Sequence, residues 1–156
     1  MKKMKLEIHP HKGFGDLEFA STDQQIIERL GDPDSTEMVD DDQESINTIL
    51  WDYIEPGFSL FLEGDHTARL SACETDNPET TLYGKKVFEM SEEEIIDLMK
   101  EHDFEKIDVD DEIWGERRVS FDDALIDFYF KNERLISINW GVVINEKGEV
   151  EWYNEG

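Results

Sequence analysis

The chain has 156 residues, of which 40 are acidic and 15 basic, giving a formal net charge of −25. That balance argues against direct binding to nucleic acid or to an anionic membrane surface, because both present phosphate. A hydrophobic fraction of 38% is enough to build a core and excludes wholesale disorder, and a single cysteine, Cys73, excludes an intramolecular disulfide.

The basic start, Met1-Lys2-Lys3-Met4-Lys5, is followed by no apolar signal-peptide core. No run reaches membrane-spanning length either, so a cytoplasmic protein is expected. Residues 4–9 alternate Met, Leu and Ile with Lys, Glu and His, which predicts a short strand ended by Pro10. Gly13-Phe14-Gly15 reads as a turn, and Leu17 with Phe19 as a second short strand. Thr22 through Gln25 has capping-box spacing, and Ile26, Ile27 and Leu30 form one stripe of the helix that follows. Gly31 and Pro33 stop that helix.

Residues 32–45 read as an acidic loop. Ile49, Trp51 and Tyr53 then alternate as a strand, followed by Phe58, Leu60 and Leu62, and by Ala68, Leu70 and Ala72. Residues 75–80 read as a linker. The pattern then starts again: Gly84, Val87 and Phe88, a second capping box from Ser91 to Glu94, and a helical stripe of Ile95, Ile96 and Met99. Residues 104–111 are polar and acidic. Val119 and Phe121 start a strand, and residues 125–140 form the clearest hairpin in the chain. Ile126, Phe128 and Phe130 face one way on its first strand, with Ile136, Ile138 and Trp140 on its second. Val142, Ile144, Val150 and Trp152 flank a last turn and are expected to extend the second sheet.

The two passages align almost without gaps. Gly15, Phe19, Thr22 and Ile26 match Gly84, Phe88, Ser91 and Ile95 at an offset of 69. Tyr53, Phe58, Leu60 and Leu62 match Phe121, Ile126, Phe128 and Phe130 at an offset of 68. This predicts an α+β protein of two tandem α-β-β-β repeats, residues 1–78 and 79–156, forming one compact unit with antiparallel sheet and both helices on one face.

Gly15-Asp16-Leu17-Glu18-Phe19-Ala20-Ser21-Thr22, with Ile26-Ile27-Glu28-Arg29-Leu30-Gly31-Asp32-Pro33, resembles the motif G-x-L-x-F-G-M-T-x-x-E-V-x-x-x-L-G-x-P. That motif opens helix-plus-sheet modules of the BamE (SmpA/OmlA) and β-lactamase-inhibitor-protein type, and of small bacterial proteins similar to immunity proteins. Ala20 and Glu89 stand where the motif has Gly. The resemblance implies a helix-backed sheet whose open face binds a protein.

Strand parity points to the surface that would do so. With Ile126, Phe128 and Phe130 inward, Asp127 and Tyr129 face outward, as do Phe61 in the first copy and Asn139 on the returning strand. Aromatics among polar neighbours suit a protein-binding surface. Asp40, Asp41 and Asp42, in the acidic loop, would steer a basic partner. Asp32, Asp34, Thr36 and Asp40 partly follow calcium-loop spacing, but Glu37 occupies the place of the required Gly, so no metal is expected. No nucleophile, dinucleotide or phosphate-loop motif is present, and no cofactor or catalysis is expected. The expectation is a non-catalytic acidic module that occludes a basic protein partner, such as a toxin, as an immunity or inhibitor protein does. The alternative is a structural or regulatory domain whose acidity serves only solubility.

Overall fold

The computed structural model of the chain describes residues 4–39, 48–64, 67–112, 115–145 and 147–151. It opens with a three-stranded antiparallel piece, β1 (Glu7–His9), β2 (Gly13–Phe14) and β3 (Leu17–Glu18). Gly13 and Phe14 are therefore strand rather than turn, and the turn lies at Gly15 and Asp16. Helix α1 (Asp23–Leu30) begins where the sequence places it. The Thr22 hydroxyl accepts from the Gln25 N–H at 3.2 Å, and the Gln25 side chain accepts from the Thr22 N–H at 2.9 Å. Gly31, at φ +84°, ends it.

Four strands follow: β4 (Ser35–Val39), β5 (Thr48–Tyr53), β6 (Phe58–Glu63) and β7 (Arg69–Thr75). The chain then makes β8 (Thr81–Leu82) and β9 (Lys85–Lys86), a three-ten turn over Val87–Glu89 and helix α2 (Glu92–Glu101). The Ser91–Glu94 capping box closes reciprocally at the start of α2. Four more strands come next: β10 (Ile107–Asp111), β11 (Glu116–Phe121), β12 (Ile126–Lys131) and β13 (Arg134–Gly141). A separate hairpin, β14 (Val143–Ile144) with β15 (Val150–Glu151), ends the described chain.

This corrects the predicted architecture. Of the described residues, 48% are strand and 16% helical, in three sheets, so the protein is mostly β and is not an arrangement of two α-β-β-β repeats. Each helix is followed by four strands rather than three. Within the large sheet, the strands absent from the prediction, β4 and β10, carry Ser35-Thr36-Glu37-Met38-Val39 and Ile107-Asp108-Val109-Asp110-Asp111. As edge strands they bury little, so they have no apolar alternation to betray them. The last hairpin likewise forms its own two-stranded sheet instead of extending a larger one.

The large sheet has the order β10-β11-β12-β13-β7-β6-β5-β4. Each run of four strands is an antiparallel meander, and the two meet through their last strands, β13 and β7. A five-stranded sheet, β3-β2-β1-β8-β9, joins strands from the start and the middle of the chain through the parallel pair β1 and β8.

One face of the large sheet is buried. Leu60, Leu62, Leu70, Cys73, Val119, Phe121, Ile126, Phe128, Ile138 and Trp140 belong to one cluster with Ile26 of α1, Ile95 and Met99 of α2, and Phe14 of the small sheet. Phe14 packs edge-on against Phe58 and Trp140, with ring centroids 5.2 and 5.0 Å away. The Trp140 indole Nε1–H donates to the Gly13 carbonyl at 3.0 Å. The Tyr53 hydroxyl donates to the Gly31 carbonyl at 2.9 Å and ties β5 to the end of α1.

Two bulges correct the predicted inner face. Register shifts between Phe61 and Leu62 and between Tyr129 and Phe130 each leave one residue out of the pairing. Cys73, not Ala72, therefore lies opposite Leu60, and Ala72 turns to the other face. Leu135, not Ile136, lies opposite Phe130, and Ile136 is 38% exposed. A bulge inverts side-chain parity beyond itself, which simple alternation cannot foresee.

Candidate functional site

The helices and the small sheet cover the inner face of the eight-stranded sheet and leave its other face uncovered by any described element. Parity sets the composition of that open face. On β6, Phe58, Leu60 and Leu62 point inward, so Ser59, Phe61 and Glu63 point outward. On β12, Ile126, Phe128 and Phe130 point inward, so Asp127, Tyr129 and Lys131 point outward.

Pairing aligns the outward residues into one row that crosses all eight strands. Asp108 lies opposite Ser120, which lies opposite Asp127, which lies opposite Asn139. Asn139 lies opposite Glu74, followed by Ser59, Asp52 and Ser35. Carboxylates thus recur on every second strand, β10, β12, β7 and β5, with serine or asparagine between them. Two strand spacings amount to about 9.6 Å. That is too far for the carboxylates to converge on one ion at the ~2.3–2.6 Å that calcium requires.

The hydroxyls of the row orient its acids. Ser120 donates to the Asp127 carboxylate. Ser59 donates to Asp52 Oδ1 at 2.6 Å, and Ser35 donates to Asp52 Oδ2 at 3.1 Å. The Glu74 carboxylate accepts no hydrogen bond from a described residue. Burial, and then the neighbouring Asp76 and Asp52 charges, raise its pKa above the ordinary carboxylate value. At the β10 end, Arg118 Nη2 lies 3.6 Å from both Asp108 and Asp110, which partly neutralises that end of the row.

Two further rows flank the central one. On one side lie Gly141, Ala72, Phe61 and Leu50, an apolar strip that ends at Glu37. On the other lie Asp110, Arg118, Tyr129 and Ser137. The Tyr129 hydroxyl is held above its ordinary pKa by burial and by Asp127, with Arg118 opposing. A depression of about 330 Å³ opens beside the row, lined by Asp52, Ser59, Glu74, Asp76 and Ser137 with Ile54, 72% exposed, at its edge.

The predicted site residues are distributed as follows. Asp127 and Asn139 are direct neighbours in the central row. Phe61 and Tyr129 share the open face, both half-buried, but lie on opposite sides of that row. Positions that match along the sequence are carried to opposite sides because β7 and β13 meet antiparallel. Asp40, Asp41 and Asp42 lie outside the described residues. Glu74 and Asp52, which complete the row with Ser59, escaped the sequence reading. Their signal was the polar half of each strand's alternation, which becomes a row only once eight registers are known.

A second and larger depression, about 540 Å³, lies between the turns at Gly15 and Gly84, lined by Lys5, Glu7, His9, Asp16 and Tyr83. Its one buried carboxylate, Glu7, is consumed by the Thr81 hydroxyl and by the Gly84 N–H at 3.1 Å. Tyr83 is stacked on His102 at 3.4 Å. The volume is greater there, but Glu7 and Tyr83 are already engaged by their neighbours.

Among the described residues no helix is long and apolar enough to cross a membrane. Nor do any three or more His, Cys, Asp or Glu side chains gather in a metal-holding cluster. No family model, no curated protein and no solved structure matches the chain.

Proposed function

We propose that the protein is a non-catalytic binding module that seats a basic protein partner on the open face of its large sheet. The observation that carries this reading is the row of Asp127, Glu74 and Asp52, recurring on alternate strands of a face that no described element covers. Ordered hydroxyl contacts fix two of these acids, so a cation meets preset acceptors instead of freely rotating ones. The overall charge of −25 would accelerate encounter with a basic surface. Phe61 with Leu50 offers apolar contact at the flank. An immunity or inhibitor role, in which the partner is a toxin or enzyme, is the form of this reading in which occlusion is itself the activity.

The test is affinity capture from the native host with the wild-type chain and with the double variant Asp127→Lys/Asp52→Lys, at low and at physiological salt. The reading expects basic proteins retained by the wild type, lost from the variant, and weakened by salt. Identical capture by both chains, or no basic protein with either, sinks it.

One observation favours the plainer reading, a structural domain whose acidity serves solubility. Asp108, Asp110 and Asp111 line the free edge strand β10, where charge blocks edge-to-edge association. That reading expects Asp110→Ser/Asp111→Ser to aggregate while binding nothing less well.

A further inference from the structure

We infer that the open face reads charge spacing: it takes an extended segment bearing Lys or Arg at every third residue, laid across the strands with its cations on Asp127, Glu74 and Asp52. The inference rests on the proposed binding function and adds the partner's geometry to it.

The three acids stand on β12, β7 and β5, each two strands from the next. Their backbones therefore recur about every 9.6 Å, and about 19 Å separates the outer two. A polyproline-type extended segment advances about 3.1 Å per residue with three residues per turn, so every third side chain falls on one side at about 9.3 Å. Over two steps the mismatch is about 0.6 Å. An α-helix repeats a face nearest this spacing at i+7, about 10.5 Å, and accumulates about 1.8 Å over the same span. A β-strand repeats a face every second residue at about 6.7 Å and does not match.

The acids are not equivalent, and their differences fit one cation each. Asp127 and Asp52 are held by Ser120 and by Ser59 with Ser35. The carboxylate of Glu74, the middle acid, has no hydrogen bond from a described residue and feels both Asp52 and Asp76 beside the 330 Å³ depression. A cation there relieves an unfavourable carboxylate, whose raised pKa reports the same strain. The depression accommodates the methylene stem of a lysine or arginine against Ile54. Asp108, the fourth acid of the row, is already engaged by Arg118, so the site has three positions and not four.

Two nine-residue peptides of identical composition test this on the full chain. One is Lys-Pro-Pro repeated three times; the other has three consecutive lysines followed by six prolines. Titration calorimetry at low salt is expected to show the spaced peptide binding about fivefold more tightly, the worth of two additional partly shielded ion pairs. Glu74→Gln is expected to abolish that preference. Equal affinity, or tighter binding of the clustered peptide, overturns the spacing inference while leaving a basic-partner site standing. Binding by neither peptide overturns both. A preference that survives Glu74→Gln overturns the assignment of the middle position.

Discussion

Asn139 of β13 lies directly opposite Glu74 of β7, and this pair stands where two four-stranded meanders become one sheet. The neutral amide faces a carboxylate that two other acids crowd. Directly beside it along the seam, Gly141 lies opposite Ala72, where an added Cβ would stand 2.6 Å from the Ser71 carbonyl oxygen. The seam therefore has small residues, Gly141 and Ala72, on one side and a half-buried, crowded acid, Glu74, on the other.

Glu74 gives the first prediction. Because its folded pKa is raised, the native state binds its proton before the unfolded state does. Stability from this group therefore falls as pH rises through the folded pKa, and is recovered as pH falls back through it toward the ordinary carboxylate value. Glu74→Gln removes the cost. The variant should be more stable than wild type at pH 7 by up to about 1 kcal/mol, given its partial exposure. That advantage should shrink toward pH 4. Urea midpoints at several pH values check this, with Glu28→Gln on the exposed side of α1 as a control for net charge. An advantage independent of pH, or equal in the control, counts against the account.

Trp140 is fully buried, contacts Phe14 edge-on and donates to the Gly13 carbonyl. Trp140→Phe keeps an aromatic ring and strands that carbonyl, at a cost of about 1–2 kcal/mol. Trp140→Ala leaves a cavity and should cost about 3–5 kcal/mol. Gly13→Ala attacks the same contact from the other side. Its Cβ would lie 1.9 Å from the Leu17 carbonyl oxygen at a φ of +155°, so it should exceed Trp140→Phe. Denaturation midpoints that rank these variants otherwise would show that the small sheet does not depend on this anchor.

Asp123 and Arg117 both fasten β10, and their costs should differ in the direction opposite to their contact lists. Arg117 reaches Glu92 of α2 at 2.8 Å and Asp111 at 3.0 Å, and these partners raise its pKa further. Its side chain is nevertheless 40% exposed, so Arg117→Ala should cost less than about 1 kcal/mol. Asp123 is buried and accepts from the Glu105 and Lys106 N–H groups at 2.9 and 3.4 Å. Asp123→Ala strands both donors, costs about 1–3 kcal/mol and should loosen β10 specifically. Hydrogen exchange at Ile107 and Val109 reads this; equal protection in both variants would refute it.

The sequence by itself determined the local structure whose causes are local. Thr22 with Gln25, and Ser91 with Glu94, are three residues apart and cap their helices wherever those helices lie. The alternation of Phe58, Leu60 and Leu62, and of Ile126, Phe128 and Phe130, assigned the inner face of two strands because one side of each must be dry. Only the tertiary structure decided the rest. Edge strands β4 and β10 are held by backbone pairing and carry little apolar burial, so composition disguised them as acidic loops. The bulges at Ser71 and Ile136 reversed parity within β7 and β13, and exchanged Ala72 for Cys73 and Ile136 for Leu135. The row from Asp108 to Ser35 depends on seven strand pairings between residues as far apart as Glu74 and Asn139. A residue's neighbours across a sheet are set by hydrogen-bond register, and register is a property of the folded chain.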